Sequence, residues 1–244
     1  MADVLVLCYH AISPTWTEAI AVTPSALEYQ IRYLLDHGWR PSTFRDAVLA
    51  PPDSKTLAVT FDDGFASVKT YALPLLDQLG VPATVFAPTA FMSGGQALAW
   101  PELRHWANTP DGGELAAMDW NDLGELAERG WEIGSHTRTH PHLIELEVDQ
   151  LRAELAKSRE DCASRLGCPC ASIAYPFGEV DGRVSDAARA AGYLAGASLS
   201  RRLERLGPYR HPRIWISHTD DPWRFRLKAA RAIRELRASR LWPS

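Results

Sequence analysis

Short apolar runs alternate with longer amphipathic segments along most of the chain, and this alternation restricts the fold more than any other feature. Strands are predicted at residues 4–8, 56–61, 82–87, 131–134, 172–175, from 193 onward and at 213–216. Helices are predicted between most of them, at 24–37, 45–50, 66–79, 121–129, 146–166 and in a segment ending at 191. Two strands joined by a crossover helix lie parallel, and seven or eight such units favour a closed barrel over an open sheet. The predicted fold class is therefore α/β, a barrel of parallel strands.

The length and composition of the chain fit one domain. With 244 residues, of which 46% are apolar, the chain can bury one substantial core, so we expect a single domain over residues 1–244. The formal net charge is -4, and no basic stripe is interleaved with aromatic residues. Because nucleic-acid backbones attract basic surfaces, we expect no nucleic-acid partner.

Both ends of the chain bear on its location. Met1-Ala2-Asp3 leads directly into an apolar run, without a basic leader or a cleavage site, and that run is too short to span a membrane. We therefore expect a cytoplasmic protein. Residues 222–240 are strongly basic with apolar residues interspersed, which predicts a C-terminal helix. Such a helix either packs on the domain or makes a peripheral contact with an anionic membrane.

The four cysteines, Cys8, Cys162, Cys168 and Cys170, form no Cys-x-x-Cys pair. Isolated cysteines at these spacings do not build a zinc ribbon. We expect reduced thiols that bind no metal.

Two adjacent carboxylates, Asp62 and Asp63, end the predicted strand 56–61 and are followed by Gly64. Successive side chains of a strand point to opposite faces, so the two acids can share one site only if the pleat breaks between them. A turn at Gly64 allows such a break. Since Asp-Asp-Gly is also an ordinary turn composition, a solvated turn is the alternative.

Two histidines, His136 and His140, follow the predicted strand 131–134. Four residues of extended chain span about 13 Å, too far for both imidazoles to bind one metal at about 2.0 Å. The pair therefore requires a coiled turn, which Pro141 should end. His10 follows the first strand in the same way and is either a site residue or an ordinary strand-end histidine.

In a parallel barrel the strand ends that carry these residues meet at one edge, where working residues lie. Two histidines and one carboxylate form a common metal site with positions left open for water. If Asp63 binds the cation, Asp62 is free to take a proton from bound water, whose pKa such an ion lowers to about 7. Glycosidases instead place two carboxyls on opposite sides of the bond, at least about 5 Å apart. The residues favour a metal-dependent hydrolase.

Three segments occur in the order of the first three motifs of the polysaccharide deacetylases, the NodB-homology family or carbohydrate esterase family four. They are residues 60–64, 135–140 and 175–178. Residues 7–10 and 212–214 resemble the exopolysaccharide and poly-N-acetylglucosamine deacetylase branch, and the resemblance extends from Val4 to about Ile216. It implies a distorted (β/α)7-8 barrel of parallel strands.

The resemblance also implies the roles of the site residues. Asp62 would be the general base, and Asp63, His136 and His140 would bind one divalent ion, usually zinc, with cobalt, nickel or iron in related members. The reaction would remove N-acetyl groups from N-acetylated amino sugars of a glycan or glycoconjugate.

The third motif would contribute to the substrate groove. The resemblance implies that the backbone amide of Phe177, next to Pro176, donates to the oxyanion. It also implies that Tyr175 and Phe177 form part of the groove wall.

The chain departs from the family pattern in the residue that positions the base. Many members have an arginine just before the third motif's proline, but residues 172–175 contain none. Arg213 could hold Asp62 from a different strand, or it could form an ordinary ion pair.

The general acid is the second departure, because the usual late Leu-x-His is missing. His218, in Ile216-Ser217-His218, is the leading candidate, and His10 is the second. Asp220 and Asp221 are more distant candidates.

These departures keep two alternative functions open. One is a hydrolase of the same family that removes O-acetyl groups or cleaves another amide. The other is a catalytically impaired carbohydrate-binding homologue.

Overall fold

The computed structural model describes residues 3–50, 54–200, 202–204, 206–239 and 242. Met1, Ala2 and Arg240, which belong to the two predicted end segments, lie outside the described residues. The strands are β1 (Asp3–Tyr9), β2 (Ala11–Ile12), β3 (Ala21–Val22), β4 (Arg40–Ser42), β5 (Lys55–Phe61), β6 (Ala83–Ala87), β7 (Glu132–Ser135), β8 (Ser172–Ala174), β9 (Ala195–Ser198), β10 (His211–Pro212) and β11 (Ile214–Trp215). The α-helices are α1 (Pro24–Asp36), α2 (Phe44–Leu49), α3 (Leu73–Gln78), α4 (Trp120–Glu128), α5 (Val148–Leu166), α6 (Gly182–Ala190), α7 (Pro222–Ala229) and α8 (Arg231–Ala238).

Nine of these strands form one parallel sheet in the order β10-β9-β8-β7-β6-β5-β1-β11, with β4 also paired to β5. β5 pairs with β1 along its whole length, whereas its other edge is shared. β4 pairs with residues 56–58 of that edge, and β6 pairs with residues 59–61. The sheet is distorted where β4 and β6 share this edge. The predicted α/β fold with parallel strands is confirmed.

The chain around Arg213 joins the two edges of this sheet. β10 pairs with β9 and β11 pairs with β1, and Arg213 is the one residue between them. The N–H of Arg213 donates to the carbonyl of Ser198 at 3.1 Å, and the N–H of Ile216 donates to the carbonyl of Cys8 at 2.9 Å. One short segment therefore bonds to both edges, and the sheet nearly closes as a barrel.

The helix boundaries follow from local chemistry that the sequence displays. The hydroxyl of Thr23 accepts from the N–H of Ala26, with proline at the first helical position of α1. Asp119 caps α4 in a reciprocal box with Asp122. Both starts agree with the predicted helices.

Two predicted helices are interrupted. The segment predicted as one helix over 66–79 contains a π-helical turn, Val68–Ala72, before α3. Pro74 explains this turn, because it has no N–H to donate to the carbonyl four residues earlier. The segment predicted as one helix over 222–240 is two helices, α7 and α8, separated by the extended backbone of Ala230.

The break at Ala230 brings α8 against the barrel. Arg234 donates to the carbonyl of Ala229 at 3.0 Å and forms a two-pronged ion pair with Asp3 at 2.8 and 2.6 Å. Of the helices in the described part of the chain, none has the length and apolar character needed to cross a membrane.

The amino-terminal side of the sheet holds a buried carboxylate, Glu132, at the start of β7. It accepts from the N–H of Arg45 at 2.8 Å, from the hydroxyl of Thr84 at 3.0 Å and from the hydroxyl of Ser172 at 2.5 Å. Burial raises the pKa of Glu132, although these hydrogen bonds oppose the shift. Glu132, Thr84 and Ser172 lie at or near the starts of β7, β6 and β8, at the opposite ends of these strands from the residues at their carboxyl ends.

We predict that the stability of the protein falls as pH rises through the raised pKa of Glu132. An acid with a raised pKa binds its proton more tightly in the folded state, so unfolding becomes easier above the ordinary glutamate pKa of about 4.3. Glu132→Gln removes this loss, so its free energy of unfolding should rise relative to wild type as pH increases from about 4.3 to the raised pKa of Glu132, and the difference should stay constant above it. Urea unfolding at a series of pH values measures the difference. Glu128→Gln, an exposed site on α4, controls for the loss of one charge, and a pH-independent difference for Glu132→Gln would contradict the prediction.

Candidate functional site

The two adjacent acids at the end of β5 line one cavity because the backbone turns between them. The N–H of Asp62 donates to the carbonyl of Tyr9 at 2.9 Å and so continues the pairing of β1 with β5. Asp63 then adopts a left-handed conformation with φ 70°, and Gly64 follows with φ 69°. The predicted break in the pleat is present, and it begins at Asp63 itself.

A tight turn carries the two histidines that follow β7. Thr137 and His140 both have left-handed backbones, with φ 64° and 61°. The carboxylate of Glu154, on α5, accepts from the N–H groups of Arg138 and Thr139 at 2.9 Å each, and from the Thr139 hydroxyl at 2.8 Å. The coiled turn predicted from the spacing is present, and α5 fixes it.

Asp63, His136 and His140 converge in a buried cluster. The Nε2 atoms of both histidines lie 3.3 Å from Oδ1 of Asp63. Nδ1 of His136 is 2.8 Å from the carbonyl oxygen of Ala174, which requires the proton on Nδ1 and leaves the Nε2 lone pair facing the carboxylate. The ring of Trp100 stacks on His140 with centroids 4.0 Å apart.

The donor set of this cluster fits a divalent metal ion. Oδ1 of Asp63 is buried and has no hydrogen-bond partner among the described residues. Burial alone would raise the pKa of Asp63, but the two imidazoles outweigh it and hold that pKa well below its usual range. One carboxylate oxygen and two imidazole nitrogens within 4.8 Å of one another are ligands that suit zinc, cobalt, nickel or iron.

Asp62 is held from the opposite side by Arg213. The guanidinium donates to Oδ1 at 2.6 Å and to Oδ2 at 2.7 Å, and both side chains are buried. Burial raises the pKa of Asp62, but the charge and hydrogen bonds of Arg213, together with the nearby histidines, more than offset this effect and the pKa is lowered. Arg213 also donates to the hydroxyl of Thr60 at 3.0 Å, and the thiol of Cys8 donates to Asp62 at 3.4 Å. The predicted contact between Arg213 and Asp62 is therefore present in the structure.

The third motif places Phe177 at the edge of the cluster. Its backbone is left-handed, with φ 58°, and its ring contacts that of His140 at 4.8 Å between centroids. Within the described part of the chain, the N–H of Phe177 has no hydrogen-bond acceptor. The next position requires glycine, because a Cβ on residue 178 would lie 2.3 Å from the Cβ of Leu199.

Tyr175 does not form the groove wall that the resemblance implies. The side chain is fully buried, and its hydroxyl donates to the carbonyl of Tyr209 at 2.9 Å. Pro176 is also buried, which leaves Phe177 as the residue of this motif that lines the cavity. The expectation for Tyr175 is corrected because the ring packs into the core beneath the motif.

A cavity of about 470 Å³ opens over the cluster and contains the acids, both metal-site histidines and Arg213. His10 lines it, and a nitrogen of His10 lies within 4.8 Å of a carboxylate oxygen of Asp62. His218, the leading general-acid candidate from the sequence, does not line this cavity. Its backbone N–H donates to the carbonyl of Ala19. The order of these two candidates is therefore reversed.

The distant candidates have structural partners instead. Asp220 accepts from the N–H of Ser217 at 2.8 Å and pairs with Lys228 at 2.6 Å. Asp221 accepts from the N–H of Arg224 and caps α7. Neither acid lines the cavity.

Several residues of the site lie outside the sequence predictions. Trp100 and Trp215 line the cavity, and so does Arg237 from α8. A tryptophan beside a proline in the glycine-rich loop 91–101 was a usable signal for Trp100. The sequence did not mark Glu154 or Arg237 as site residues, because charged residues are common on the polar faces of amphipathic helices.

The family model named polysaccharide deacetylase matches residues 50–196 of this chain. The chain belongs to the polysaccharide deacetylase family. Among curated relatives of this family, YxkH of Bacillus subtilis is 26% identical over 81% of this chain and 64% of its own length. The peptidoglycan-N-acetylglucosamine deacetylase of Bacillus cereus is 26% identical over 66% of this chain and 51% of its own length. The chain thus spans less than two thirds of either relative.

Solved structures of polysaccharide deacetylases share the fold. The deacetylase PplD of Streptococcus pyogenes, solved in complex with acetate, has a TM-score of 0.75 and 21% identity, and the match covers 93% of this chain and 98% of that one. IcaB of Ammonifex degensii has a TM-score of 0.74 and 21% identity, with 98% of each chain covered. These likenesses show that the nearly closed parallel barrel is the fold of the family.

We predict that this deacetylase-family chain binds one equivalent of Zn²⁺ through Asp63, His136 and His140. His136→Ala and His140→Ala should each weaken binding by at least about a hundredfold, because even residues that only orient a metal ligand contribute 10–100-fold. Competition against a zinc-binding dye measures the affinity. His37→Ala, at the end of α1, is the matched control, and unchanged affinity in both site variants would contradict the assignment.

Proposed function

We propose that the chain is a metal-dependent hydrolase that removes N-acetyl groups from N-acetylated amino sugars of a glycan or glycoconjugate. The observation that carries this proposal is the convergence of Asp63, His136 and His140 on one point beside Asp62. Asp62 belongs to the same turn but faces Arg213 instead. The site therefore has one carboxylate for a cation and a second for a proton.

Asp63, His136 and His140 would hold the divalent ion, with zinc as the first choice and cobalt, nickel or iron as alternatives. When bound, the ion would lower the pKa of water and polarise the acetamide carbonyl. The donor chemistry supports several ions equally, because imidazole and carboxylate suit all of them.

Asp62 would act as the general base. The two-pronged contact with Arg213 fixes the plane of its carboxylate and keeps it ionised, so that it can accept a proton from the attacking water. Each carboxylate oxygen still has a lone pair that Arg213 does not occupy. The role of Arg213 in this scheme is to position the base.

The backbone N–H of Phe177 would stabilise the oxyanion of the tetrahedral intermediate. It lies at the edge of the metal cluster without another acceptor in the described chain, and the left-handed backbone presents it there. The negative charge on the carbonyl oxygen develops only as the reaction proceeds. A fixed N–H at that oxygen therefore stabilises the transition state more than it stabilises the bound substrate.

His10 would protonate the leaving nitrogen. It lines the cavity near Asp62, and its Nδ1 is buried without a hydrogen-bond partner among the described residues. Imidazole has a pKa suited to donating a proton near neutral pH. Acetate and a free amino sugar would then leave.

The alternative hydrolase removes O-acetyl groups or cleaves another amide with the same residues. N-acetyl chemistry is favoured because an amine is a poor leaving group unless it is protonated, and the cavity offers His10 for that step. The Bacillus cereus relative is named for an N-acetylglucosamine substrate. An impaired carbohydrate-binding homologue is less well supported, since Arg213 takes the place of the missing arginine.

The cytoplasmic location and the peripheral membrane contact also belong to this proposal. Trp223 on α7 is 69% exposed, and the same helix carries Arg224, Arg226 and Lys228. An exposed tryptophan beside cations is typical of a helix that touches an anionic membrane surface. In that setting a lipid-linked glycan would be a suitable substrate.

We predict acetate release from N-acetylglucosamine oligomers in the presence of added zinc. Asp62→Asn should lower kcat by at least about a hundredfold, the usual contribution of a general base, while zinc affinity stays near that of wild type. A coupled assay for acetate measures the rate. Release from acetylated xylan alone would select the O-acetyl alternative, and saccharide binding without any release would select the impaired homologue.

We predict that His10, rather than His218, supplies the proton to the leaving group. His10→Gln should lower kcat by at least about a hundredfold with a much smaller change in KM, because a general acid acts in the transition state. His218→Gln should stay within about threefold of wild type, since its side chain lies outside the cavity. Steady-state kinetics on the same oligomers separate the two, and the reverse pattern would contradict the assignment.

A further inference from the structure

Two histidines of one segment contact the ring of Phe177. The imidazole of His142 lies parallel to this ring, with centroids 3.8 Å apart and 9° between the two planes. His140 contacts the same ring edge to face, with centroids 4.8 Å apart. Because His142 follows His140 across Pro141, the segment that carries the metal-site histidines also supports the third motif.

Two carboxylates hold the imidazole of His142 in place. Its Nδ1 donates to a carboxylate oxygen of Glu179 at 2.9 Å, and Glu179 lies two residues after Phe177 in the chain. An ionised carboxylate only accepts hydrogen bonds, so this contact requires the proton on Nδ1. Nε2 of the same ring is 3.7 Å from Glu102, which lines the cavity. The ring that stacks on Phe177 is therefore itself oriented by contacts at both of its nitrogens.

Phe177 needs support of this kind because its backbone is left-handed, with φ 58°. A residue that has a Cβ rarely adopts this conformation, which persists where the surroundings enforce it. Backbone hydrogen bonds of 2.9 and 3.2 Å close the turn on either side, but neither of them includes the N–H of Phe177. The contacts of its ring with the two imidazoles are therefore a further restraint on this residue.

We infer that His142 is the positioning residue for Phe177, because its stacked ring keeps Phe177 in the left-handed conformation at the edge of the metal cluster. This inference rests on the proposed function, in which the N–H of Phe177 stabilises the oxyanion, and it adds the residue that keeps this N–H in place. His142 does not line the cavity. It acts through Phe177 and does not touch the reacting atoms.

Three substitutions at His142 separate the stack from the hydrogen bond. His142→Phe keeps a ring that can stack but cannot donate to Glu179. His142→Gln keeps an N–H donor for Glu179 but has no ring, and His142→Ala removes both contacts. The side chain of His142 is 37% exposed, so these changes leave no cavity in the core. His105→Ala is the matched control, because His105 is an exposed histidine that contacts the ring of Trp106 and does not line the cavity.

The first measurement is the order parameter of the Phe177 N–H from ¹⁵N relaxation, on the full chain with Zn²⁺ and without substrate. In wild type, in His142→Phe and in His105→Ala we expect the value of a rigid backbone, about 0.85. In His142→Gln and His142→Ala we expect about 0.6 or lower. The order parameter of Thr60, on β5, should stay unchanged in every variant, because a general loosening of the fold would lower both values. An unchanged value for Phe177 in His142→Gln and His142→Ala would overturn the inference.

The second measurement is the rate of acetate release from N-acetylglucosamine oligomers. His142→Gln and His142→Ala should lower kcat by at least about tenfold, since outright removal of one oxyanion donor costs about 10²–10³ and these changes only loosen it. KM should stay within about threefold of wild type, because the donor acts in the transition state. His142→Phe should keep kcat within about threefold of wild type. An equal loss of kcat in His142→Phe and His142→Ala would overturn the inference, because the stack would then not be the contact that matters.

The two measurements separate this inference from the proposed reaction. If wild type releases no acetate from any substrate, the proposed function fails, and the order parameters of Phe177 alone decide whether His142 holds this residue. If wild type releases acetate but Phe177 stays rigid in His142→Ala, the proposed function stands and the inference fails. A mobile Phe177 with an unchanged kcat would also overturn the inference.

Discussion

The ion pair between Asp62 and Arg213 is the interaction on which the rest of the structure depends. Both groups are buried, and burying either charge alone would cost several kcal/mol, so each offsets the burial cost of the other. Arg213 is also the residue between β10 and β11, where one segment bonds to both edges of the sheet. A buried ion pair is weak evidence for added stability. Its value here is geometric, because the backbone at Arg213 bonds to one edge of the sheet while the side chain of the same residue orients Asp62.

Backbone strain is concentrated around this pair. The non-glycine residues with left-handed backbones in the described chain are Asp63, Thr137, His140 and Phe177, and all belong to the site or its turns. Such conformations cost about 1–3 kcal/mol each and persist only where the surroundings enforce them. Glu154 enforces the histidine turn through three hydrogen bonds from α5. The strain at Asp63 lets two successive side chains from one strand end line the same cavity, whereas a regular strand would point them to opposite faces.

The sequence predicts those structural features that depend on residues close together in the chain. Apolar runs located most of the sheet strands, and the positions of Asp63, His136 and His140 after two of these runs located the candidate metal cluster, because each depends on neighbours along the chain. The contact between Arg213 and Asp62 spans 151 residues and depends on where the barrel closes, so the residues left it as one of two alternatives. Tyr175 and His218 were assigned by motif and by nearest match. The structure places Tyr175 in the core and does not include His218 in the cavity wall, because packing decides where a side chain points.

The segments that flank the family core complete the site. Residues 50–196 contain both acids, both histidines and Phe177, and so include the whole candidate metal cluster. The rest of the cavity wall includes residues from outside that range, namely His10, Arg213, Trp215 and Arg237. Contacts with the barrel hold these segments in place. Arg234 of α8 pairs with Asp3, and Arg213 lies between β10 and β11. The side chains that the flanks add to the cavity wall can therefore vary while the cluster of Asp63, His136 and His140 stays in place.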